Sequence, residues 1–260
     1  MSDALVFLAW RCPGIYGLAT ALGGPVPRLE GILPLEMRER DGSGPPRTGD
    51  PCFEIMGPGD VAGLQRHTIR RMVPPPGTLD AETTKCVHVE LAAPNLPWRY
   101  TPALASGQVL DPWIVIVVGT AFDPPSGLGE VKLLPDNQVR LHPDVLAAHP
   151  LGESARWAHV QIELRENHPN IESGSLDLNA LIESEGGVPV ARLLSPRPLE
   201  PGRDYIAAIV PAFNPDGSPA WTGANGPVVR PLITTGAFGA ERGATSAPSP
   251  PDCTSARPIR

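Results

Sequence analysis

The chain has 260 residues, enough for one large all-β domain or two small ones with a real buried core. Its 34 prolines and 27 glycines are roughly a quarter of the residues, about twice the ordinary share, and they punctuate apolar runs rather than massing in tracts. A net charge of −7 sets aside a general attraction to nucleic acid or anionic membrane, and the basic cluster at residues 66–71 does not overturn that.

Taken in chain order, residues 4–10 read as a strand and residues 29–37 as a weaker one interrupted by Pro34. Residues 41–51 (DGSGPPRTGDP) read as a polar, turn-rich loop. A short strand at residues 53–56 is stopped by Gly57, Pro58, Gly59 and Asp60, a tight turn in which Asp60 caps the next segment. Residues 86–92 alternate, with Val87, Val89 and Leu91 on one face and His88 and Glu90 on the other, a face expected to be solvated. Two corners, Pro97-Trp98 and Pro112-Trp113, bracket a polar connection and lead into the β-branched run at residues 114–118. An unbroken run of that kind suits a strand buried on both faces.

Farther on, Pro143-Asp144 opens a short helix that is expected to take in Leu151. Residues 157–164 alternate again, residues 179–185 read as a helical turn or two, and Arg192 to Ser195 leads into another Pro-rich corner. Residues 205–210 (YIAAIV) are a second strongly apolar strand, and Asn214-Pro-Asp-Gly217 and Asp136-Asn137 are turn signals. From Gly236 only Phe238 and Ile259 are large and apolar, so residues 236–260 are expected to be a disordered or aberrant tail. The fold class is therefore all-β or mainly β: sandwich-like, with Pro-rich corners and few short helices. Residues 1–235 form the β-rich scaffold, as one unit or as two modules of about 1–125 and 150–235.

Four cysteines, Cys12, Cys52, Cys86 and Cys253, are widely spaced with no CxxC pair. A zinc site wants close pairs, so the expectation is scattered thiols in a reducing compartment, acting as small buried apolar residues. Asp3 stands where a signal peptide needs basic residues, and no apolar run reaches the ~20 residues of a membrane span. The chain reads as soluble and cytoplasmic, with no membrane partner.

Chemistry-bearing residues are present without the spacing that chemistry needs. The six histidines include no HxH or HExxH pattern, and His88 and His159 read as surface residues of polar strand faces. Glu90 and Glu163 could be imagined as paired carboxylates, but alternating Glu on a strand is ordinarily a solvated face. Ser154, Ser173 and Ser195 lack a nucleophile elbow, and Gly57 to Asp60 lacks the lysine and the amides of a phosphate cradle. Trp98, Tyr100 and Trp221 could stack on sugars in a carbohydrate-binding sandwich; the competing reading makes Trp98, Tyr100, Trp113 and Trp157 structural anchors of the framework. An enzyme would have to assemble its site from distant loops, with His159 and Glu163 the first suspects. The residues themselves point to no enzyme, no cofactor and no metal.

Three passages form an ordered series: residues 55–61 (IMGPGDV) leading to Pro76-Gly77-Thr78; LPWRYTP at 96–102 with DPWIVIVV at 111–118; and ARLLSPRPLEP at 191–201 with YIAAIVPAF at 205–213. Together, over roughly residues 50 to 230, they resemble the N-terminal part of large uncharacterised bacterial proteins associated with phage-tail-like contractile injection gene clusters. The resemblance implies a structural component that works by contact with other protein subunits, with no catalytic residues to carry over. Family members continue past this point, which implies that the tail from about residue 236 is a frame-shifted or truncated terminus; a natural flexible tail is the other reading.

Overall fold

The computed structural model describes residues 4–8, 29–32, 35–37, 45, 47–50, 52–55, 60–103, 110–164, 189–222, 228–234 and 237–241. The readings at Gly57, Pro58 and Gly59, at residues 179–185 and at residues 242–260 lie outside the described residues. Mainly β structure is what the rest shows. In chain order the strands are β1 (Ala4–Leu8), β2 (Leu29–Ile32), β3 (Leu35–Met37), β4 (Arg47–Gly49), β5 (Cys52–Ile55), β6 (Ile69–Val73), β7 (His88–Leu91) and β8 (Ile114–Thr120). They continue as β9 (Val131–Leu134), β10 (Gln138–Leu141), β11 (Ala158–Leu164), β12 (Val190–Leu194), β13 (Asp204–Pro211), β14 (Val228–Val229), β15 (Ile233–Thr234) and β16 (Phe238–Gly239). Among the described residues there are also helix α1 (Pro143–Ala148) and 3₁₀ turns at Arg66–Thr68, Leu96–Trp98 and Leu151–Arg156.

The β-branched run becomes the middle of a three-layer stack. β8 pairs antiparallel with β13 over seven registered residues, from Ile114 opposite Pro211 to Thr120 opposite Tyr205. Successive side chains of a strand point to opposite faces, so each strand feeds two cores. Ile114, Ile116, Val118, Tyr205, Ala207 and Ile209 join one core with Val89, Leu91, Val160 and Leu193 of the sheet ordered β1-β11-β12-β7-β6. Val115, Val117, Ile206, Ala208 and Val210 join the other with Val131, Val139, Leu141 of the β14-β10-β9 sheet and Val145 and Leu146 of α1. An apolar residue at every position of the run is the sequence signature of this double burial.

Several expectations need correcting. Residues 41–51 are not loop throughout, because Arg47–Gly49 pairs with Leu35–Met37 as β3·β4. Arg192 to Leu194 leads into the Pro-rich corner as the end of strand β12, which pairs with both β7 and β11. Pairs β1·β11, β7·β12 and β8·β13 also join residues 1–125 to residues 150–235, so these stretches do not form separate sheets. Residues 237–241 belong to the fold and not to a tail. β16 pairs with β13, Phe238 is buried and stacked on Tyr205 at 5.9 Å, and the Gly239 N–H donates to Thr78 O while its own carbonyl accepts from Ala81 N–H. One aromatic ring suffices there because backbone pairing on both sides holds the segment.

The cysteine reading also changes. Cys52 is an exposed free thiol, and Cys86 is disulfide-bonded to a partner outside the described residues. A disulfide is at odds with the scattered cytosolic thiols expected from the sequence, because the cytosol keeps thiols reduced. No described helix is long and apolar enough to cross a membrane.

Candidate functional site

The two Pro-Trp corners interlock. The Trp98 indole N–H donates to Leu110 O at 2.9 Å, and the Trp113 indole N–H donates to Leu96 O at 2.6 Å. Pro97 O accepts from Trp113 N–H, and Thr101 Oγ donates to Asp111 O, so both ends of the intervening connection are tied to the mouth of β8. Tyr100 packs edge-on against Trp113, with ring centroids 5.0 Å apart. Trp98 is only 2% exposed and offers no face to a sugar. Trp221 belongs to the opposite core, so Trp98, Tyr100 and Trp221 form no common platform. Trp157 is buried beside His149, edge-on at 6.0 Å.

The polar face of the five-stranded sheet is not solvated as expected. One cross-strand row runs Arg71, Glu90, Arg192, His159 over β6, β7, β12 and β11. Arg192 holds Glu90 through two guanidinium N–H groups, at 3.0 and 2.6 Å, and also donates to Gln161. Glu90 is left 7% exposed because this guanidinium lies over it. Burial, with added repulsion from Arg192 and His88, pushes the His159 imidazole down to about 4; burial also lowers His88. The row brings His159 onto the same face as Glu90, but Arg192 lies between them and holds the carboxylate. The backbone of Glu163 lies two strands across and four residues along from that of Glu90, about 16 Å by strand geometry.

A second polar group was not legible in the sequence. Where β8 turns its edge away from β13, side chains take the place of a neighbouring strand. The Val118 N–H donates to His149 Nε2 at 3.3 Å, and the Thr120 N–H donates to Glu130 Oε2 at 2.8 Å. Ser195 Oγ also lies 3.1 Å from His149 Nε2, while Nδ1 lies 2.8 Å from Val145 O. With Nε2 accepting, Nδ1 carries the proton. Burial holds this imidazole down to about 4. Burial raises the Glu130 carboxyl, but hydrogen bonds from Thr120 and Arg197 outweigh it and hold the group below its ordinary value. His149 and Ser195 resemble a base and nucleophile, yet both are fully buried and a backbone carbonyl, not a carboxylate, orients the ring. This arrangement seals a strand edge. His149 and Ser195 are far apart in the chain and follow no periodic pattern, so no sequence signal joins them.

A cavity of about 700 Å³ opens between α1, the Leu151–Arg156 turn and the segment after β13. Leu146, Leu151, Phe213 and Trp221 wall it. Asp111 and Ser154 supply polar atoms, with Ser154 Oγ donating to Asp111 Oδ1 at 3.4 Å. Desolvation raises the Asp111 carboxyl, partly offset by the bonds from Ser154 and the Ala155 N–H. Phe213 also borders a second cleft of about 300 Å³, which Asp60 helps to line. The turn at Asn214 forms as its sequence dictates, with Gly217 N–H bonded to Asn214 O and Ser218 bonded to the Asp216 carboxylate. Among the described residues no cluster of three metal-ligating side chains occurs.

No family model, curated protein or solved structure matches the chain.

Proposed function

We propose that this chain is a non-catalytic structural component of a phage-tail-like contractile injection particle and works by contact with other protein subunits. The observation that carries the reading is how its motif series is used. The passages at 111–118 and 205–213 pair as the doubly buried β8·β13 layer, and the passage at 191–201 begins in the neighbouring sheet. Interlocked Pro-Trp corners make that layer a stiff frame, which suits a part that transmits load. We assign assembly to the cytoplasm, with the Cys86 disulfide forming once the particle meets oxidising surroundings.

The test is co-sedimentation: the chain, tagged and expressed together with the genes that flank it, is run on a density gradient. Recovery in the fraction that holds sheath and tube proteins is the expected result. A chain that stays at the top of the gradient as free protein contradicts it. Retention by polysaccharide instead would favour the carbohydrate-binding alternative, which keeps only Trp221 at a cleft.

A further inference from the structure

We propose that the cleft beside α1 is the docking site for an arginine side chain of a partner subunit, with its guanidinium on Asp111 and its stem along Phe213 and Trp221. The inference rests on the reading of the chain as an assembly component. Three observations carry it. The cleft is lined by Leu146, Leu151, Pro150, Phe213 and Trp221, so an occupant must be largely apolar. A single half-buried carboxylate stands in that lining, and among the described residues no Lys, Arg or His pairs with it. Its own hydrogen bonds come from one hydroxyl and one backbone amide, both neutral.

A carboxylate so placed favours a cation that can shed its water. Guanidinium is weakly hydrated, forks onto carboxylate oxygens and lies flat on aromatic rings, whereas an ammonium holds its shell more tightly. Arginine also buries a three-carbon stem on apolar walls. A volume of about 700 Å³ exceeds what one side chain fills, leaving room for the apolar residues that flank an arginine in a polypeptide. The second carboxylate lining the cleft, Asp144, is exposed and adds to the attraction during approach, as does the net charge of −7.

The probes are Ac-Leu-Arg-Leu-NH2, its citrulline isostere, which has the same shape without the charge, and agmatine as a free guanidinium. They are titrated into the whole protein with the Trp221 indole N–H resonance as readout. The arginine peptide is expected to saturate that resonance and bind at least tenfold more tightly than the citrulline peptide. Asp111→Asn is expected to bring the two peptides to the same affinity. Equal affinities in the native protein, no movement of the indole resonance, or an Asp111→Asn variant that keeps the preference would overturn the proposal. Agmatine binding more tightly than the peptide would also overturn it, by giving the cleft to a free small cation. The native-protein comparison stands even if Asp111→Asn fails to fold. Failure here leaves co-sedimentation intact, so the docking site and the assembly reading can fall separately.

Discussion

His149 is a neutral imidazole with both nitrogens committed, one donating to Val145 O and one accepting at the edge of β8. Its folded pKa, about 4, lies below the ordinary value of 6.5. A group depressed in this way contributes its full stability above pH 6.5 and loses it as pH falls towards 4. The loss amounts to about 3 kcal/mol at most. Urea unfolding from pH 7 to pH 4 is expected to show this decline, and a His149→Phe variant, already destabilised, is expected to show a shallower one. An unchanged slope in the variant would remove His149 from the account. The tryptophans give a second measurement at this scale. Trp113→Phe removes the indole N–H bond, leaving Leu96 O only the Arg99 N–H, and puts a smaller ring in a buried site, which predicts a loss of about 1–2 kcal/mol, while Trp98→Ala empties a core site and predicts about 3–5 kcal/mol. Thermal and urea melts separate the two, and a Trp98→Ala protein of native stability would contradict its burial.

The elements show which parts the chain made readable. The unbroken apolar run of β8 announced burial on both faces, and the structure supplies two cores to meet it. The alternation of residues 86–92 was equally plain, but alternation tells only which residues share a face. It could not say that Arg192, on a strand roughly a hundred residues later, would lie over Glu90 and keep water from it. Likewise, the cleft combines α1, a 3₁₀ turn and a loop with no periodic signal, so Trp221, Leu151 and Ser154 each stood out singly but nothing joined them. Glycines give this scale its prediction. A Cβ on Gly119, in β8, would meet Val131 Cγ2 at 2.6 Å and Val145 Cγ2 at 2.7 Å, side chains that can shift. One on Gly129, at φ +125°, would meet the backbone of Phe122 and Ala121 within 2.8 Å. Gly119→Ala is therefore expected to cost about 1–3 kcal/mol by overpacking. Gly129→Ala should cost more, because backbone cannot yield, and Gly152→Ala, with open space around it, is the near-neutral control. Urea midpoints in any other order would contradict the packing described for β8.

At the scale of the whole molecule, strands from the two halves of the sequence share layers of the stack. β1 and β7 lie in one sheet with β11 and β12, and β8 and β13 pair between the two cores. Such interleaving hides from local sequence reading, because strand pairing over a hundred residues leaves no periodic trace. It also makes the frame mechanically one piece, the property on which the assembly reading depends. Native-state hydrogen exchange followed residue by residue tests this most directly. The account predicts that hydrogen-bonded amides of Ile114–Thr120 and Asp204–Pro211 exchange only through global unfolding, all with the same free energy. If β8 amides instead exchange at a lower free energy than β13 amides, the two halves open separately and the single frame is contradicted.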